Sequence, residues 1–267
     1  MSGLWLVLLL SLLPGTGNFV GGLIAEFGPS SPRLLNLALH AAAGIVLAIV
    51  AIELMPEAVE VLTGWWLAAA FAAGGLSYLL IEGTLERWLG GGEAEDQGGG
   101  RTGMWMIYAA VAVDLSSDGL MLGTGSAVSP SLGIVLALGQ VLADLPEGYA
   151  VIANFRDKGV PRRRRILLSA SFILFSVGAA LLAFLLLREA PEAWKMGALT
   201  FVAGLLAVSA VEEMLEEAHE AREDNRASVL AFVGGFALFT LVSAGLETLL
   251  AEPQAAAPEQ GVAARDR

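Results

Sequence analysis

Two stretches decide how this chain is read: Ala110 to Gly125, AVAVDLSSDGLMLGTG, and Ala137 to Val151, ALGQVLADLPEGYAV. Each is an apolar run long enough, with its flanks, to cross a bilayer, and each carries acids on one stripe. Asp114 and Asp118 stand four residues apart, about 40° around a helix. Gln140, Asp144 and Glu147 follow the spacing i, i+4, i+7 and share a stripe in the same way. Between Met104 and Phe155 there is no Lys, Arg or His, so neither run can pair its own acids. A carboxylate near the bilayer centre costs about 2.5 to 3.5 kcal/mol on insertion scales, or on the order of 10 to 14 kcal/mol for four. Protons, a water-filled cavity or a bound cation must offset that cost.

Pro146 narrows the choice. It has no N–H, so the carbonyl of Leu142 loses its helical partner beside Asp144 and Glu147. A freed carbonyl next to two carboxylates is a ligand set for a hard cation. Gly119, Gly123 and Gly125 are expected to let the first helix approach the second closely enough to share that site.

The rest of the chain agrees with a membrane setting. Of 267 residues, 56% are hydrophobic and only 16% are charged, against about 25% charged in soluble domains. A soluble globular enzyme is excluded. There is no cysteine, which removes disulfides, thiolate ligands and cysteine nucleophiles. A net charge of -12 argues against nucleic acid as a partner. Apolar runs bounded by Gly, Pro and charge predict eight spans in an all-α membrane protein: 4–25, 34–55, 62–81, 104–124, 132–155, 166–187, 196–214 and 229–249. The first span has the length of a signal peptide over Leu4 to Leu13, but no basic residue precedes it, as an n-region would require. Residues 1–251 read as one transmembrane domain, with a flexible linker at about 90–103 and a disordered tail at 252–267.

Orientation follows the basic residues. With the N-terminus outside, eleven of the fifteen Lys and Arg fall on inner segments, among them Arg33, Arg87, Arg156, Lys158 and the run Arg162 to Arg165. Only Arg188, Lys195, Arg265 and Arg267 fall outside. Both termini are therefore expected outside, with the Arg run as a topology anchor.

A shift of 160 residues lays Ala43, Gly44, Glu53, Glu57, Ala58 and Glu60 onto Ala203, Gly204, Glu213, Glu217, Ala218 and Glu220. Spans two and seven are related, and by the charge count they run in opposite directions. The expectation is an inverted 3+2+3 repeat, an architecture that places a substrate near the midplane between its halves.

These residues resemble the ZIP family of divalent-metal transporters. The resemblance rests on AAGIVLAIVAIELMPEA in span two, DLSSDG and LPEG in spans four and five, and FVAGLLAVSAVEEMLEEAHE in span seven, and it extends over all eight spans. The family's pattern is HNxPDG in span four and HExPEG in span five, around a two-metal site. Asp118, Gly119, Asp144, Pro146, Glu147 and Gly148 match it in kind. Asp114 stands for the first histidine, Leu115 for the asparagine, Ser117 for the proline and Ala143 for the span-five histidine. A glutamate often found in span six would fall near Phe175. The resemblance implies a multi-pass protein of the cell membrane that moves a divalent cation toward the cytoplasm. Its metal residues would be Asp114, Asp118, Asp144, Glu147 and Gln140. The metal is substrate, and no cofactor is implied. Without imidazole or thiolate, the donor set favours Mn²⁺, Fe²⁺ and Mg²⁺ over zinc.

Two other functions compete. Loss of the span-six carboxylate fits a non-transporting structural or metal-sensing relative. An intramembrane enzyme built on an aspartate pair would need GxGD, or Ala-Arg after the Asp118-Gly119 pair, and neither is present. The only partners expected are the cation, the bilayer and a second copy in a homodimer. His40 reads as an interfacial polar residue or a ligand, and His219 as part of a solvated acidic helix end. Glu53, Glu57, Glu213 and Glu217 read as cation-concentrating acids or as anchors of helix ends.

Overall fold

A computed structural model describes residues 2–28, 31–89, 102–214 and 226–250. The linker, the tail and the segment with Glu217 and His219 lie outside them. The described residues are helical, with eight helices long and apolar enough to span a membrane. Span one is α1 (Ser2–Phe27), which runs unbroken through Pro14. Span two is α2 (Pro32–Ala48), a π-helical turn π1 (Ile49–Leu54) and α3 (Met55–Val61). Spans three to six are α4 (Gly64–Leu89), α5 (Thr102–Val128), α6 (Pro130–Asp157) and α7 (Arg162–Leu187). Span seven is α8 (Glu192–Ser209) followed by π2 (Ala210–Met214), and span eight is α9 (Arg226–Leu250).

Most helices outrun the apolar segments that predict them, because backbone pairing continues until a cap stops it. Ser129 starts α6, its hydroxyl accepting from the Leu132 N–H at 3.1 Å. At the other end Gly159, in the left-handed region at φ 69°, closes a Schellman cap. The Val160 N–H donates to Phe155 O at 2.9 Å and the Gly159 N–H to Arg156 O at 3.0 Å. Val160 and Phe155 are then buried in one cluster. Helix α6 passes through Pro146 without a break.

The packing has an internal pairing. Helix α1 lies on α6 and α5 on α7, while α1 meets α7 and α5 meets α6, which makes a four-helix group. Two pairs flank it: α2 with α9 and α4 with α8. Exchanging spans one, two, three and four with six, seven, eight and five maps this set of contacts onto itself. That is the pattern of the 3+2+3 repeat.

The flanking pairs repeat in detail. A Cβ on Gly44 would lie 2.1 Å from Phe232 O, and one on Gly235 2.0 Å from Ala41 O. Across α4 and α8, a Cβ on Gly204 would lie 2.0 Å from Phe71 O, and one on Gly74 1.8 Å from Phe201 O. Small residues with backbones in contact are how helices hold together where water supplies no driving force between them. The two π turns obey the same relation, since Ala210–Met214 is Val50–Leu54 shifted by 160. Outward faces are apolar, with Trp65, Trp66 and Trp88 exposed on α4 and Leu230, Leu241 and Leu249 on α9.

Glu26 ties the ends of α1 and α7. Arg165 donates to its two oxygens at 2.7 and 2.9 Å, Arg162 lies 3.3 Å away, and Arg156 donates to Ala25 O at 3.1 Å.

Candidate metal site

The acidic stripes of α5 and α6 face each other inside the four-helix group. Asp118, Gln140 and Asp144 are fully buried, Asp114 is 3% exposed and Glu147 6%. Asp114 is within reach of Glu147, and Asp118 faces Asp144 and Gln140. All five sequence-predicted residues therefore share one buried layer.

Their partners are few. The Gln140 amide N–H donates to Asp144 Oδ1 at 3.0 Å, and the Ser209 hydroxyl donates to Asp114 Oδ1 at 2.8 Å. Asp114 Oδ2, both oxygens of Asp118, Asp144 Oδ2 and Gln140 Oε1 are buried without a hydrogen-bond partner. None of the ion pairs among the described residues involves Asp114, Asp118 or Asp144. Buried acceptors left unpaired cost free energy unless a proton, water or cation meets them.

Among the described residues no three His, Asp or Glu side chains stand in a metal-ligating arrangement. Asp114 turns to Ser209 on α8 and Asp144 to Gln140 on its own helix, each taking the donor at hand.

The glycine expectation needs correction. Gly119 and Gly123 face α7, where added Cβ atoms would lie 2.3 Å from Ser176 O and 2.2 Å from Ala180 O. Only Gly125 faces α6, through Leu132 and Leu136. The stripe seats α5 on its repeat-related outer helix, as Gly148 seats α6 on α1. The α7 position set against the family's glutamate is also informative. Phe175 is 37% exposed and packs edge-on against Tyr108 at 6.1 Å, whereas the buried α7 residues are Ser169, Phe172, Ser176, Ala180, Ala183 and Phe184. An acid at 175 would not join the cluster.

Of the other acids, Glu53 is buried and accepts from the Ser243 hydroxyl. Glu53, Glu57, Glu247, Ser129 and Ser131 line a cleft of about 290 Å³ where α3, the start of α6 and the end of α9 meet. His40 is buried, its Nδ1 2.8 Å from Asn36 O in its own helix.

Reading the sequence alone missed Ser209, Glu247 and Asn18. Ser209 has no charge or motif, and only the packing of α8 on α5 brings it to Asp114. Glu247 lies near the end of the strongly apolar span eight, and only the packing of that end brings it to Glu53 and Glu57. Asn18 carried a signal in being a lone amide in an apolar span. A scan of the chain against protein-family models finds no match, and neither does a search of curated protein sequences.

Proposed function

We propose that this protein is a ZIP-like carrier that moves a divalent cation across the cell membrane toward the cytoplasm through the α5–α6 carboxylate layer. One observation carries the reading: four carboxylates are buried together, and Asp114, Asp118 and Asp144 have no basic partner among the described residues. A cation is the species that answers several unpaired acceptor oxygens at once. Oxygen-only donors favour Mn²⁺, Fe²⁺ or Mg²⁺ over Zn²⁺.

Under the orientation set by the basic residues, the cleft lined by Glu53, Glu57 and Glu247 opens outside and concentrates cations there. The Arg-bearing ends of α6 and α7 then lie inside. Transport would rock one helix group against another around the carboxylates, with the donors exchanging Ser209 and Gln140 for the ion. The test is uptake into proteoliposomes with Mn²⁺, Fe²⁺, Zn²⁺, Mg²⁺ and Cd²⁺ in competition. Saturable uptake lost in Glu147→Ala supports the reading, and no uptake of any ion overturns it.

A second reading, a non-transporting metal sensor, draws on the absence of a ligating arrangement among the described residues. It expects bound metal in purified protein together with no uptake.

A further inference from the structure

The carboxylate layer involves α5 and α6, but a third helix carries an unexplained polar group at the same level. Asn18 on α1 is fully buried, and both its amide nitrogen and its amide oxygen lack a hydrogen-bond partner. Burying an amide without partners costs on the order of 1 to 3 kcal/mol by mutational measure. Retaining it unpartnered in a membrane-spanning helix points to a ligand.

The position is set by close contacts. An added Cβ on Gly148 would lie 1.8 Å from Asn18 O and 2.7 Å from Asn18 Cα. The backbone of Asn18 thus abuts α6 beside Glu147. At about 100° per residue, Asp144 lies only about 40° around α6 from Gly148 and Glu147 about 100°, both on the side of the acidic stripe. On α1, Asn18 shares a face with Ser11, Gly15 and Gly22. Ser11 O accepts from the Ser176 hydroxyl at 3.1 Å. Added Cβ atoms on Gly15 and Gly22 would meet Ile173 and Ile152. That face is therefore turned to α6 and α7, into the four-helix group that holds the carboxylates.

The unpaired groups are complementary. Asn18 has an unused amide NH₂ and an unused carbonyl oxygen, and the layer has carboxylate oxygens without donors. We propose that Asn18 is the α1 member of the cation site: its amide oxygen is a neutral hard ligand for the divalent ion, and its NH₂ donates to a site carboxylate. This rests on the carrier reading, and it adds a third helix, so that binding couples α1 to α5 and α6. A neutral amide among acids also tunes the site toward hard divalent ions.

The experiment uses the purified full chain in detergent, with Mn²⁺ as the probe. It reads both equilibrium Mn²⁺ affinity and the melting temperature without metal. Asn18→Leu is expected to weaken Mn²⁺ binding by about tenfold or more, in the range of lost ligand-supporting groups. Its metal-free melting temperature should be no lower than wild type, because an unpaired buried amide has been replaced by an apolar group with the same branching at Cγ. Asn18→Asp, which keeps an oxygen donor, should bind Mn²⁺ within about threefold of wild type. If Asn18→Leu gives no folded protein, Asn18→Ser, which is smaller, is read for the same loss of affinity. An Asn18→Leu or Asn18→Ser protein binding as wild type overturns the assignment while leaving the carrier reading intact. Equal weakening in all variants, together with lower metal-free melting, makes Asn18 structural and also overturns it. Wild-type protein that binds no Mn²⁺ or other divalent ion removes the carrier reading and this inference with it.

Discussion

Gly234 and Gly235 are neighbours in α9, and a methyl group added to each should have opposite consequences. A Cβ at Gly234 meets nothing within 4 Å, whereas at Gly235 it would stand 2.0 Å from Ala41 O, 2.8 Å from Ala41 C and 2.9 Å from Ala41 Cα. All three contacts are backbone atoms of a helix that cannot rotate aside. Real Cβ contacts essentially never fall under 3.0 Å, so α2 and α9 must part by roughly 1 Å along the crossing, losing the close packing on which membrane helix pairs depend. Both substitutions gain about 0.8 to 1 kcal/mol from the better helix propensity of alanine. Gly234→Ala should therefore stabilise by up to about 1 kcal/mol. Gly235→Ala should lose a net of about 1 to 2 kcal/mol, since overpacking costs about 1 to 3 kcal/mol and a clash with backbone takes it to the upper end of that range. The gap between neighbouring variants is about 2 to 3 kcal/mol, or roughly 5 to 10 °C in melting temperature. Thermal unfolding in detergent, followed by intrinsic fluorescence and size-exclusion chromatography, measures it. Gly74→Ala, whose Cβ would lie 1.8 Å from Phe201 O in the repeat-related pair, should behave like Gly235→Ala. The reasoning is refuted if Gly235→Ala melts as high as Gly234→Ala, or if Gly74→Ala and Gly235→Ala change stability in opposite directions.

Within the carboxylate layer, Glu147→Ala should abolish uptake of every divalent ion, and Asp114→His should raise the Zn²⁺ to Mn²⁺ uptake ratio by introducing an imidazole; an unchanged ratio in competition assays removes Asp114 from the selectivity site. Metal binding to carboxylates displaces protons, so lowering the external pH from about 7.5 to about 5.5 should reduce initial uptake several-fold. Uptake rates that do not change over that range would separate the carboxylates from the ion. Glu26→Gln leaves Arg165, with a side chain 11% exposed, with one acceptor in place of two and no countercharge, and should cost about 2 to 3 kcal/mol in thermal stability. A melting temperature equal to wild type would show the pair to be ornamental. Because the chain has no cysteine, single cysteines report sidedness cleanly: Lys158→Cys should react only with membrane-permeant reagents in intact cells and Glu189→Cys with impermeant ones. The reverse pattern, or the same pattern at both, overturns the orientation.

Spans are legible in a sequence because the bilayer imposes a length and a polarity on each crossing. All eight appear, with helix ends extended wherever a cap such as Ser129 or Gly159 decides the stop rather than the end of an apolar run. The five layer residues were legible for a related reason, since an intramembrane acid is too costly to be incidental. The repeat was visible in span two against span seven, and its two π turns and four glycine crossings were not. Such features depend on which backbone lies opposite, and a glycine reads the same facing lipid, as Gly234 does, or facing a carbonyl, as Gly235 does.

Composition and helical period by themselves determined a multi-pass helical protein, where its spans fall and which residues form the acidic stripes, because these follow from each helix alone against the bilayer. Tertiary structure alone decided that Gly119 and Gly123 seat α5 on α7, that Ser209 from α8 reaches Asp114 and that the backbone of Asn18 on α1 abuts Gly148 on α6. It also decided that the carboxylates lie together without a ligating arrangement among the described residues. Those properties belong to pairs and triples of helices, and a side chain's partner is set by the neighbour it meets across the gap, which no periodicity along one helix encodes.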